Sequence, residues 1–126
     1  MRAGFARRFR LRTAAEFDAV FKRGRRLGGR LFLLVALPNR SGRDRLGLAV
    51  SRRVGGAVER NRARRLLREG FRRAPRARAV GFDLVAVAQP EIVACGQAEV
   101  DRELRERLRR IGPAPGPGGA PAAAAG

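Results

Sequence analysis

The chain has 126 residues, the size of one compact domain, and 44% of them are hydrophobic, enough for a core. Its 29 Lys and Arg against 11 Asp and Glu leave a formal net charge of +18, a surface that seeks a polyanion, with nucleic acid ahead of an anionic membrane. With no His and a single Cys, it excludes an internal disulfide, a Cys/His metal site and any Ser–His or Cys–His nucleophile.

The N-terminal stretch "MRAGFARRFRLR" reads as a basic arm and lacks the apolar run of a signal peptide. Thr13 then opens a helix over 13–22 with the capping-box pattern Thr13-x-x-Glu16. Phe17, Val20 and Phe21 recur at i, i+3 and i+4 on its apolar face, and Gly24 ends it. A short strand is expected near 25–30, closed by a turn at Gly28-Gly29. "LFLLVAL", 31–37, reads as a buried strand; it is also the longest apolar run, far too short to span a bilayer. "PNRSGRDR", 38–45, is a polar connection, and "LGLAVS", 46–51, a further strand whose Gly47 points to a bulge or a close approach.

Gly55-Gly56 breaks the chain before a helix over 57–73. Ala63, Leu66, Leu67, Gly70, Phe71 and Ala74 follow the helical period and form a core stripe. Asn61, Arg64, Arg65, Arg68 and Arg72 are thereby forced together on the opposite side. Nine of the 22 residues from Arg52 to Arg73 are arginine. A solvated helix face usually alternates sign, and this one barely does, so phosphate binding is the preferred reading. Pro75 ends the helix. "FDLVAVA", 82–88, is a strand, and a last helix over 97–110 buries Val100, Leu104, Leu108 and Ile111. The segment from Gly112 to Gly126 is Pro/Gly/Ala-rich and is expected to be disordered, which divides the chain into a domain over 1–111 and a tail over 112–126.

The order α-β-β-β-α-β-α specifies an α+β sandwich of one sheet with helices. Several residues admit two readings. Gly55-Gly56 serves as a tight turn or presents amides to phosphate. Asn61 is an exposed neutral residue or an amide that bonds backbone or RNA. Phe17 and Phe21 pack in the core or form a stacking platform for unpaired bases. Cys95 reads as an incidental small residue.

"SRRVGGAVERNRARRLLRE", Ser51–Glu69, closely resembles the RNR motif of the bacterial ribonuclease P protein subunit. The surrounding pieces stand in the same order: "RLR" before "EFDAVFKRG", then an apolar strand, "RLGLAVSRRVG", the signature helix and "GFDLVAVAQ". The resemblance runs from about Arg8 to Ile111. It implies a four-stranded sheet with three helices, similar to the second domain of ribosomal protein S5, with a left-handed β-α-β crossover against the usual hand. It further implies a subunit that joins a large catalytic RNA to remove the 5′ leader from precursor tRNA. The RNA and its Mg²⁺ would carry the hydrolysis, with no catalytic residue, metal ligand or organic cofactor on the protein. Arg52, Arg53, Arg60, Asn61, Arg62, Arg64, Arg65 and Arg68 would dock on the catalytic RNA. Phe17 and Phe21 would line a cleft for the single-stranded leader. Some members carry a tyrosine near the position of Val35, and this chain has none. The expected setting is cytoplasmic and membrane-free, with the protein monomeric within the holoenzyme. A non-catalytic RNA chaperone or ribosome-associated protein of similar fold is the rival reading, and a membrane-surface protein ranks last.

Overall fold

A computed structural model of the chain describes residues 10–39, 42–74 and 81–111. The elements run α1 (Ala14–Arg23), β1 (Arg25–Leu27), β2 (Phe32–Pro38), β3 (Arg45–Ala49), α2 (Ala57–Arg73), β4 (Phe82–Ala88), a 3-10 turn (Pro90–Ala94) and α3 (Gln97–Ile111). Three helices and a four-stranded mixed sheet make the α+β fold expected from the sequence. Among the described elements, the 3-10 turn has no counterpart in that reading. Residues 1–9 of the basic arm, the tip of the 38–45 connection, Pro75 and the 112–126 tail lie outside the described residues.

The sheet order is β1-β2-β4-β3. β2 pairs antiparallel with both β1 and β4, whereas β3 lies parallel to β4. A parallel pair needs a long crossover, and α2 supplies it between β3 and β4. The central strand β4 is buried at six of its seven positions, because helices cover both faces of the sheet. That is why "FDLVAVA" reads as a continuous apolar run rather than an alternation.

The two faces are different cores. Phe32, Leu34, Ala36, Leu46, Leu84, Ala86 and Ala88 join Ala63, Leu66, Leu67 and Phe71 of α2 and Val100, Leu104 and Leu108 of α3 in the larger one. On the other face Val35 and Val85 pack with Val20 of α1, flanked by Phe17, Phe21, Leu33, Leu37, Ala49 and Val87. Thus α1, with Leu11 of the arm, packs on one face, and α2 and α3 lie side by side on the other.

Polar groups tie α1 to the sheet. The Thr13–Glu16 capping box forms as the sequence predicts. Glu16 also accepts from the Arg12 amide at 2.7 Å and from Arg45 Nη1 at 3.2 Å. Arg45 in turn forks onto Asp83 at 2.9 and 2.8 Å, and Asn39 Nδ2 donates to Asp83 at 2.7 Å. The bidentate pair with Asp83 raises the Arg45 pKa, and the Arg12 and Thr13 amides lower that of Glu16.

A candidate nucleic-acid interface

Because β3 ends the sheet, both α1 and α2 overhang it, and residues from opposite faces meet at its edge. The approach to α2 is built first. Val54 and Gly55 donate to the carbonyls of Ser51 and Arg52 at 3.1 Å each, which leaves Arg52 and Arg53 exposed on a tight turn. Gly55 has φ +146, and a Cβ there would also meet Glu59 at 2.7 Å. The Gly56 amide donates to Glu59 Oε1 at 2.9 Å. The glycine pair is therefore a turn whose end α2 caps for itself.

From there α2 sorts its arginines by direction. Arg62 points toward α3, where its Nη2 donates to the Cys95 carbonyl at 2.6 Å and its Nε to that of Val93 at 3.3 Å. The resemblance implies that Arg62 docks on RNA with its neighbours; in the structure its guanidinium bonds the end of the 3-10 turn. Arg73, on the same flank, pairs with Asp101 of α3 at 2.8 Å. Asn61 and Arg65 are exposed on the outer face. Asn61 Oδ1 accepts from Arg64 Nη1 at 3.0 Å, so the amide holds an arginine in place. Arg60 stays beside its own helix start, with Nε 3.4 Å from the Gly56 carbonyl.

Arg64 and Arg68 lie on the opposite flank. They line an open cleft of about 190 Å³ with Arg10, Leu11, Phe17, Leu46, Gly47 and Leu48. Arg10 reaches it because the arm forms a parallel bridge to Leu46 on the free edge of β3, where the Leu11 amide donates to the Leu46 carbonyl at 3.1 Å. Its Nε is buried without a hydrogen-bond partner. Burial, with repulsion from Arg10 and Arg64, pulls the Arg68 pKa below its ordinary value. Among the described residues, no acidic side chain lines the cleft. Three guanidiniums therefore converge where an anion would relieve both desolvation and repulsion.

Phe17 floors this cleft. Its ring lies so close over β3 that a Cβ on Gly47 would come within 2.6 Å of Cζ. The expected close approach at Gly47 is realised, without a bulge, since Arg45–Ala49 pairs continuously with Asp83–Val87. Phe21 is not part of the same lining. One turn on, its carbonyl accepts from Arg26 Nη2 at 3.1 Å, and the Arg26 guanidinium sits 5.9 Å from its ring centroid. Val35 is fully buried beneath α1 and offers nothing to a ligand. Arg10 was absent from the residues singled out in the sequence; the "RLR" preceding α1 was the available signal.

The family model for ribonuclease P matches residues 5–112, a span that includes every described residue. The chain belongs to the ribonuclease P protein family. The ribonuclease P protein component of Desulfovibrio desulfuricans is 43% identical over 109 residues, which cover 83% of this chain and 84% of that one. That of Clostridium kluyveri is 35% identical over 106 residues, covering 82% and 95%. Among solved structures, the RNase P protein from Thermotoga maritima superposes with a TM-score of 0.71 at 32% identity, covering 81% of this chain and 96% of that one. The Staphylococcus aureus RNase P protein gives 0.69 at 25% identity, covering 80% and 93%. As a ribonuclease P protein, the chain is an RNA-binding component of the ribonucleoprotein that processes the 5′ end of tRNA. Its arginine-rich helix α2 is the signature that the sequence displayed.

Proposed function

We propose that this chain is a non-catalytic subunit that binds two RNAs through the two sides of α2. The outer face, with Arg52, Arg53, Arg60, Asn61 and Arg65, docks on the catalytic RNA. The cleft flank, with Arg64, Arg68, Arg10 and Phe17, holds the single-stranded leader of precursor tRNA, with Phe21 supporting α1 one turn away. The observation that carries this reading is the convergence of Arg10, Arg64 and Arg68, with no acid among the described lining residues, beside the partly buried ring of Phe17. Single-strand binders combine a positive groove with a ring on which a base can stack.

The hydrolysis belongs to the RNA subunit, which also holds the Mg²⁺. The protein's own chemistry supports this division. It has no His to act as a general acid or base. Its residues bind and orient the substrate, and its positive field offsets phosphate repulsion between the two RNAs. The protein acts as a monomer within the holoenzyme, in the cytoplasm. Among the described residues no helix is long and apolar enough to cross a membrane.

Reconstitution tests the proposal. The full chain, mixed with a bacterial ribonuclease P RNA at low Mg²⁺, should restore leader cleavage that the RNA alone performs poorly. No stimulation, with the protein folded and bound to the RNA, would make it an RNA-binding protein without this role.

A further inference from the structure

A second arginine stripe lies outside everything assigned so far. On α3, Arg102, Arg105 and Arg109 are all exposed, spaced by three and four residues and so on one side of the helix. They span about 10 Å along the axis at 1.5 Å per residue. The four acids of α3 ought to neutralise them, yet each is drawn elsewhere. Asp101 takes Arg73 of α2 at 2.8 Å and the Gln97 amide at 2.8 Å. Glu103 accepts from the Leu31 amide at 3.1 Å and pairs with Arg107 at 3.3 Å. Glu106 also pairs with Arg107, at 2.8 Å. Glu99 accepts from the Gly96 amide at 3.1 Å and sits 3.8 Å from Arg30. Arg102 lies near enough to help hold the Glu99 pKa down, but gains no ion pair from it.

The buried Arg107 therefore absorbs two carboxylates by itself, pinning the β1–β2 turn through its bond to the Gly28 carbonyl at 2.9 Å. Among the described residues, Arg102, Arg105 and Arg109 form no ion pair. A stripe needed only for solubility would be interleaved with acids at i±3 or i±4. Here Asp101, the i−4 neighbour of Arg105, pairs with Arg73, and Glu106, the i−3 neighbour of Arg109, pairs with Arg107. Arg102 borders an open pocket with Glu99, Glu103 and Glu106 but forms no ion pair with them.

We propose that Arg102, Arg105 and Arg109 form a second phosphate-contacting surface on which the RNA subunit continues past α2. The proposal rests on the docking of that RNA on the outer face of α2. Two observations choose this occupant over the substrate. α2 and α3 lie side by side on one face of the sheet, locked by Arg73–Asp101 and by Gln97 Nε2, which donates to the Leu66 carbonyl at 2.9 Å. The leader cleft opens on the other flank of α2, at β3. An RNA lying across α2 toward α3 moves away from the leader and onto the stripe.

The test is the salt dependence of binding between the full chain and a bacterial ribonuclease P RNA. Replacing all three arginines by glutamine should lower the magnitude of the log K versus log salt slope by about 2 to 2.7, at 0.7 to 0.9 per lost contact. Arg105→Gln alone should lower it by about 0.7 to 0.9. Lysine at the three positions should restore most of it, since phosphate contacts need charge. The thermal melt and the preference for precursor over mature tRNA should stay unchanged. Neutralising Lys22 and Arg23, at the end of α1 on the far side of the sheet, serves as the control for bulk charge, and Arg65→Ala as the benchmark. If Arg65→Ala changes the slope and the α3 variants do no more than the control, the α3 surface is refuted and α2 docking stands. If neither changes it, both readings fall. A loss of precursor preference in place of RNA-subunit affinity would assign the stripe to the substrate and overturn the proposal.

Discussion

Arg62 and Arg65 are three residues apart on one helix and face different fates. Arg62 supplies a charged donor to the carbonyls of Val93 and Cys95. Arg62→Ala should cost stability, on the order of 1.5–3 kcal/mol for losing hydrogen bonds to a charged group, with the salt slope of RNA binding unchanged. Arg65→Ala should do the reverse: an unchanged melt, and a slope reduced by about 0.7 to 0.9 if it meets one phosphate. Denaturant titration beside RNA titration separates them, and a destabilised Arg65→Ala with a stable Arg62→Ala would invert the assignment. Phe17 poses a similar question, since its ring is half-buried against β3 and also borders the cleft. Phe17→Ala should weaken precursor relative to mature tRNA by about 1–3 kcal/mol if one base stacks there. Gly47→Ala tests the same ring from beneath, because the new methyl would push Phe17 outward rather than delete it. Competition binding of the two tRNAs to reconstituted holoenzyme, run with thermal melts, reads both. Unchanged discrimination in a stable Phe17→Ala protein would leave the ring a structural one.

At the scale of elements, periodicity made the helices and central strands legible. The stripe from Ala63 to Ala74 set the inward face of α2, and the capping box set the start of α1. What the sequence did not reveal depends on how elements meet. Arg62 is drawn to α3 only because the 3-10 turn Pro90–Ala94 brings free carbonyls beside α2, and that five-residue turn has no periodic signature. Arg10 enters the cleft only because the arm bridges the open edge of β3. Phe17 and Phe21 share one helical face, yet a turn of helix separates them by the width that decides which lines the cleft. The Glu16–Arg45–Asp83 network is likewise a tertiary product, and it has a pH signature. Glu16 has its folded pKa lowered, chiefly by the Arg12 and Thr13 amides, from the ordinary 4.5. Its contribution is thus complete above the unfolded pKa and disappears as pH falls through the depressed folded value. Acid titration of the melting temperature should show a loss below about pH 5. Glu16→Gln should be less stable at neutral pH and show a shallower acid limb. An unchanged limb would place the acid sensitivity in Glu69 and Glu99, whose pKa values are also lowered, by Arg72 and by the Gly96 amide respectively.

For the whole molecule, the governing quantity is the net charge of +18 on 126 residues. Self-repulsion at that level works against compactness, and the fold neutralises little of it at the cleft. Arg68 is the sharpest local case, pulled down by burial and by two arginine neighbours. A site of this kind trades stability of the free protein for affinity. An anion that binds the native state adds RT ln(1 + [L]/Kd), about 2.7 kcal/mol at one hundred times Kd. Sulfate or a short oligonucleotide should therefore raise the melting temperature well beyond chloride at equal ionic strength. Arg68→Ala supplies the decisive comparison. At low ionic strength it should melt at or above the parent temperature, because it removes a desolvated charge from between two others. With sulfate present it should gain less than the parent, because one of three converging donors is gone. The crossing of the two stability curves, followed by calorimetry against sulfate concentration, distinguishes a built anion site from general screening. Parallel curves would mean that sulfate acts on the surface at large, and that the convergence of Arg10, Arg64 and Arg68 is only crowding at the edge of β3.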